Sequence, residues 1–142
     1  MEYALVIDDE PLISRVIIRI LKKCGLGLED FLTADDGQAG LDLFRQNSAS
    51  SNECLLVISD YNMPRMTGEE LARALREQEH YQGPIAILSG TNDEQRKQRL
   101  ETELGVTCFD KPLDPDTLRV YAQQAVNKYR SQLPNTQSTE IK

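Results

Sequence analysis

Apolar and polar positions follow a two-beat rhythm along this chain. A short unbroken apolar run is followed by a longer stretch with apolar residues at helical spacing, five times over. Residues 3–7 form the first apolar run and predict a buried strand. Pro11 then stands where a helix can begin, because its missing N–H has no intrahelical partner there anyway. Leu12, Ile13, Val16, Ile17, Ile20 and Leu21 give that helix an apolar face, and Gly25 and Gly27 end it. Residues 31–34 predict a second strand. Asp35, Asp36 and Gly37 lead into a second helix with Ala39, Gly40, Leu43 and Phe44 inward.

Residues 47–53 (NSASSNE) read as a polar loop, and residues 54–59 (CLLVIS) as a strand covered on both faces. Gly68, Leu71, Ala72 and Leu75 predict the third helix. After a Gly83-Pro84 break, residues 85–88 predict the fourth strand. Asn92 is the expected cap of a fourth helix, with Asp93 and Glu94 in the first turn, where the helix dipole favours acids. That helix is thinly apolar, with only Leu100 and then Leu104 to bury. It reads as a solvated helix with one narrow buried stripe, or as a loosely packed one able to shift. Residues 106–109 predict the fifth strand. Asp114 and Pro115 cap and start a fifth helix lined by Leu118, Tyr121, Ala122, Ala125 and Tyr129. Periodicity ends near Ser131, so the expected division is one domain over 1–130 and a disordered tail or linker remnant over 131–142.

Alternating strands and helices, with strands apolar on both faces, predict an α/β fold: an open parallel sheet with helices on both sides. In such sheets ligands gather beyond the carboxyl ends of the strands, where strand order reverses. A length of 142 residues suits one domain. The net charge of −7 argues against nucleic acid and anionic membrane as partners. Cys24, Cys54 and Cys108 are odd in number and lack CxxC spacing, which predicts free thiols in the cytoplasm. MEYALVIDDE has no basic leader, and no apolar run nears the ~18 residues of a membrane span.

The chemistry lies at the strand ends. Strand one ends in Asp8, Asp9 and Glu10, strand three in Asp60, strand four in Ser89-Gly90, and strand five near Asp110, Lys111 and Pro112. In a parallel sheet these groups converge on one crevice. Asp8, Asp9 and Asp60 would repel one another unless one protonates or a cation binds. An all-oxygen site of this kind suits Mg²⁺, with Mn²⁺ as a substitute. A carboxylate nucleophile beside a cation, a lysine and a hydroxyl is what phosphoryl transfer asks for, because charge spreads over the phosphoryl oxygens. Each residue alone is ordinary: an Asp after a strand is usually a cap, Ser-Gly a turn, and Lys-Pro a surface lysine. His80 reads as a surface residue at a helix end. The ordered conjunction carries the signal.

VIDDEP (6–11), DYNMPRMTG (60–68), ILSG (87–90) and KP (111–112) together make the chain resemble the receiver domain of two-component response regulators, of the chemotaxis-regulator kind, over roughly residues 3–130. The resemblance implies a (βα)5 flavodoxin-like domain with strand order 2-1-3-4-5. It implies phosphorylation of Asp60 by a histidine kinase or histidine phosphotransfer protein, and a switched surface for a downstream protein. Asp9 would be a direct Mg²⁺ ligand, Asp8 would act through metal-bound water, and Asp60 and the Asn62 carbonyl would complete the protein's share. Ser89 would be the switch hydroxyl and Lys111 the phosphoryl counter-ion. Gly68 would fill a tight backbone position in a loop shaped by Met63 and Pro64, and Glu10 would be a helix N-terminal acid. Such a protein is no enzyme in the ordinary sense; it would catalyse only its own phosphorylation and dephosphorylation.

One segment departs from the family pattern. The family usually has Tyr or Phe three residues before the lysine, as a ring that follows the switch hydroxyl. Here Cys108 holds that place, and Phe109 stands two before Lys111. Either strand five is re-registered so that Phe109 substitutes, or the aromatic coupling is absent. The period-two rule for strands favours absence.

Two other classes fit the residues less well. A phosphohydrolase working through an aspartyl-phosphate would want an Asp two residues after the nucleophile, and Asn62 cannot act as an acid or base there. A flavodoxin-like cofactor binder would want a Gly/Ser/Thr-rich loop after strand one, where this chain has three acids.

Overall fold

The computed structural model describes residues 1–91 and 93–134. The strands are β1 (Glu2–Ile7), β2 (Asp30–Ala34), β3 (Glu53–Asp60), β4 (Ile85–Ser89) and β5 (Thr107–Asp110). The helices are α1 (Pro11–Lys22), α2 (Gly37–Ala49), α3 (Gly68–Glu77), α4 (Glu94–Leu104) and α5 (Pro115–Gln132). All strand pairs are parallel, and the order across the sheet is β2-β1-β3-β4-β5. The order reverses between β1 and β3, so their carboxyl ends open the crevice expected of this topology.

β3 is the spine. From Cys54 to Asp60 every residue is buried, with helices on both sides. One core lies between the sheet and α2, α3 and α4; it holds Ile7, Val57, Leu71, Leu75, Ile87 and Leu100. The other lies under α1 and α5, with Val6, Ile17, Ile58, Leu88, Leu118 and Val126. The strand alternation that separates Val57 from Ile58 sorts these residues onto opposite faces.

Several expectations shift. In α1, Leu12 is 69% exposed and Val16 52% exposed, whereas Ser14 is buried. The apolar arc of α1 is wider than the strip the sheet covers, and the uncovered part borders a groove of about 480 Å³ closed by Leu113 and Pro115. Residues 47–49 belong to α2 rather than to a loop. Asn47 Nδ2 donates to the Leu43 carbonyl, and Asn47 Oδ1 accepts from Asn52, so polar residues extend the helix and close its turn. Leu41 is buried in α2 where Ala39 and Leu43 are only half-buried.

α4 is capped by Asp93, which accepts from the Arg96 amide at 3.0 Å. The expected cap, Asn92, lies outside the described residues. Leu100 and Leu104 are its buried pair, as the spacing predicted. β5 starts and ends one residue later than expected. α5 runs through Gln132, and Leu133 packs on the core under α1 and α5, so order continues past residue 130. Residues 135–142, expected as a tail, lie outside the described residues.

Candidate functional site

The sheet delivers its polar residues to one edge. Asp8 follows β1, and its N–H donates to the Ala34 carbonyl of β2 at 3.1 Å. The Tyr61 N–H reaches the Leu88 carbonyl of β4 at 2.8 Å, and the Lys111 N–H reaches the Ser89 carbonyl at 2.9 Å. Main-chain bonds thus tie the ends of neighbouring strands together. The Lys111–Pro112 peptide is cis.

Asp60 is 6% exposed. Its Oδ1 accepts from Lys111 Nζ at 2.8 Å and from the Tyr61 N–H at 2.9 Å. Burial alone would lower the Lys111 pKa. The hydrogen bond and charge of Asp60, with the charges of Asp8 and Glu10, outweigh it and hold the ammonium above its usual range.

Asp8 is 1% exposed. Burial pushes its pKa up to about 6; the Glu10 amide opposes this and the Asp60 charge adds to it. Asp8 Oδ1 accepts from the Glu10 N–H at 2.8 Å, but Oδ2 is buried with no hydrogen-bond partner. A buried, unpartnered carboxylate oxygen is costly. Asp9 is exposed, and carboxylate oxygens of Asp8, Asp9 and Asp60 lie within 4.8 Å of one another. The orphaned Oδ2 and this all-oxygen donor set fit a hard divalent cation. Asn62 lies in the exposed loop two residues beyond Asp60.

That loop is held by backbone fit. The Gly68 N–H donates to the Tyr61 carbonyl at 2.7 Å, and a Cβ on Gly68 would stand 2.5 Å from the Asp60 carbonyl oxygen. Only glycine allows this approach. Thr67 and Glu70 form a capping box at the start of α3. Met63 is part-buried against the core under α2, α3 and α4. Arg65 pairs with Asp36, the N-cap of α2. His80 is exposed in the turn after α3, away from this edge.

Ser89 stands at the same edge with its hydroxyl bonded to α4 and to the loop before it. Its Oγ accepts from Arg96 Nη2 at 2.8 Å and from the Thr91 N–H at 3.1 Å, and it donates to the Thr91 carbonyl at 3.2 Å. The Arg96 guanidinium also lies 3.8 Å from the centre of the Tyr61 ring. Sequence reading missed Arg96, because a polar residue in the first turn of a solvated helix carries no local mark of its partner.

The two candidate positions on β5 separate cleanly. Cys108 pairs with Ile87 and packs with the α4-side core; Phe109 pairs with Leu88 and packs edge-on against Tyr121 of α5 at 5.2 Å. Phe109 therefore does not stand in for a ring on the α4 face.

A doubly wound parallel sheet thus gathers three aspartates, a serine and a lysine at one strand edge. The family model for the response regulator receiver domain matches residues 4–123, and the chain belongs to that family. A chemotaxis protein CheY homolog of Campylobacter jejuni is 30% identical over 116 residues, covering 81% of this chain and 85% of the relative. The sensor histidine kinase RcsC of Salmonella typhimurium is 30% identical over 131 residues, 89% of this chain but 13% of the kinase. Among solved structures, Vibrio cholerae CheY4 superposes with a TM-score of 0.70 at 31% identity, covering 88% of this chain and 98% of that one. A Clostridium thermocellum receiver domain gives 0.78 at 26% identity, covering 94% and 100%. Receiver domains accept phosphate from histidine kinases and bind Mg²⁺ through acidic residues of the kind clustered here. Among the described residues no helix is long and apolar enough to cross a membrane.

Proposed function

We propose that this domain takes a phosphoryl group from a phosphohistidine onto Asp60 and thereby alters a protein-binding surface. The observation that carries this reading is the buried Asp60 carboxylate, bonded to Lys111 at 2.8 Å and grouped with Asp8 and Asp9. Oδ1 is engaged by Lys111 and the Tyr61 amide, which leaves Oδ2 to attack. A P–O bond forms as the donor's P–N bond breaks, and the electron pair leaves on the imidazole nitrogen. Lys111 neutralises phosphoryl oxygen charge, and the Ser89 hydroxyl, turned inward, donates to another oxygen. Asp8, Asp9, Asp60 and the Asn62 main-chain carbonyl would hold Mg²⁺, which supplies charge neutralisation for the phosphoryl oxygens. Mn²⁺ has the same preference for oxygen and would substitute.

The domain acts on itself only, gaining and losing its own phosphoryl group. The donor is a histidine kinase or a histidine phosphotransfer protein, and the output is a downstream protein, with no nucleic acid or membrane bound. The free thiols of Cys24, Cys54 and Cys108 support a cytoplasmic setting. Incubation with acetyl phosphate and Mg²⁺, followed by intact mass measurement, should show one added phosphate on the wild type and none on Asp60→Asn. An unmodified wild type, or an Asp60→Asn variant labelled at the wild-type rate, would sink the reading.

A further inference from the structure

We propose that Arg96 ties the Ser89 hydroxyl to α4 and carries the phosphorylation state of Asp60 into that helix. The inference rests on the receiver reading above and names the residue through which that site would be read.

A hydroxyl has one proton to give and two lone pairs to offer. Ser89 Oγ uses all three: its proton goes to the Thr91 carbonyl, and its lone pairs accept from Arg96 and the Thr91 amide. A phosphoryl group on Asp60 offers acceptors only. Ser89 can meet it only by withdrawing its proton from Thr91 and turning Oγ inward. The 2.8 Å bond from Arg96 must then be dragged or broken.

Arg96 is placed to transmit that change. Its amide donates to the Asp93 cap, so it belongs to the first turn of α4. Its guanidinium lies against Tyr61, the residue after Asp60, whose N–H bonds the Asp60 carboxylate. One side chain therefore touches the hydroxyl, the neighbour of the acceptor and the start of the helix. The helix itself buries only Leu100 and Leu104, so its first turn is cheap to move. The alternative route through β5 is narrow. The cavity that Cys108 shares with Ser89, Arg96, Tyr61 and Leu100 has a volume of about 20 Å³, and the Phe109 ring packs against Tyr121 of α5. That space admits about one water molecule and no aromatic ring.

The experiment follows two signals on the full chain with and without acetyl phosphate and Mg²⁺: added phosphate by intact mass, and amide hydrogen exchange across residues 94–104. In the wild type, phosphorylation should change exchange in the first turn of α4. Arg96→Ala should still take up phosphate at a rate within about tenfold of wild type, the scale of one lost hydrogen bond. Its α4 response should disappear, and Arg96→Lys, which keeps charge and a donor, should restore part of it. An α4 response that survives in Arg96→Ala overturns the proposal, as does a phosphorylated wild type with a silent α4. A wild type that takes no phosphate overturns the receiver reading and the proposal together, and shows in the mass signal alone.

Discussion

Helices α3 and α4 lie side by side on one face of the sheet, yet different forces hold them. α3 buries Gly68, Leu71, Ala72, Ala74 and Leu75, and starts in a reciprocal capping box. α4 buries Leu100 and Leu104 and is otherwise tied by charge: Arg99 to Glu69 at 2.6 Å, Arg73 to Glu103 at 3.0 Å. A buried leucine contributes about 1.5–3 kcal/mol, whereas an exposed ion pair gives about 0–1. The Asp60 loop is therefore packed against a helix that cannot shift cheaply. The Ser89 side faces a helix that can. On the proposed reading, the acceptor loop leans on the firmly anchored helix, and any readout falls to the pliant one.

The largest test of this contrast is Leu75→Ala. It removes a fully buried side chain from α3 and should cost about 2–5 kcal/mol in urea unfolding. A cost below that range would mean α3 is no better anchored than its neighbour.

Asp8→Asn acts on the crevice at the carboxyl ends of β1 and β3. A carboxyl whose folded pKa is about 6, against an ordinary 3.8, binds more protons folded than unfolded. Its stabilising contribution is full below about pH 4 and is lost as pH rises through about 6. At pH 7 the metal-free protein thus carries a penalty of up to about 3 kcal/mol, which the uncharged amide should relieve. The expected melts show a variant more stable than wild type at pH 7, with the gap closing toward pH 4. Mg²⁺ should raise the wild-type melting temperature at pH 7, less so below about pH 6 as protons compete, and should barely move Asp8→Asn.

Gly68→Ala probes the loop itself. Its Cβ would meet the Asp60 carbonyl, which is backbone and cannot swing aside. A loss of about 1–3 kcal/mol is expected, with slower phosphate uptake because the acceptor is displaced. The smallest effect belongs to Arg99→Ala, which should cost under about 1 kcal/mol globally. Amide exchange in α4 should nevertheless quicken, and added salt should mimic it in the wild type. Equal exchange in α3 and α4 after this change would erase the contrast.

Much of this architecture is legible in the sequence. Strand runs such as CLLVIS, Pro at the starts of α1 and α5, and the Asp114 cap are local signals with local causes. The acids, serine and lysine could be assigned to one edge because parallel connectivity puts all strand carboxyl ends on the same side. Boundaries were less legible. Asn47 reads as a loop residue by propensity, but its side chain bonds extend α2. Leu12 and Val16 read as core by spacing, but the sheet covers only part of the α1 arc.

The order of elements, the fold class and the chemical character of the crevice followed from the sequence alone, since they depend on periodicity, connectivity and residue type. Three things waited for tertiary structure. The orphaned Asp8 Oδ2 depends on which groups surround it. The placement of Cys108 toward α4 and Phe109 toward α5 depends on the register of β5 against β4. The hold of Arg96 on Ser89 depends on how far α4 leans over the sheet edge. Each is a relation between segments distant in the chain or between a side chain and its surroundings, and only packing in three dimensions sets it.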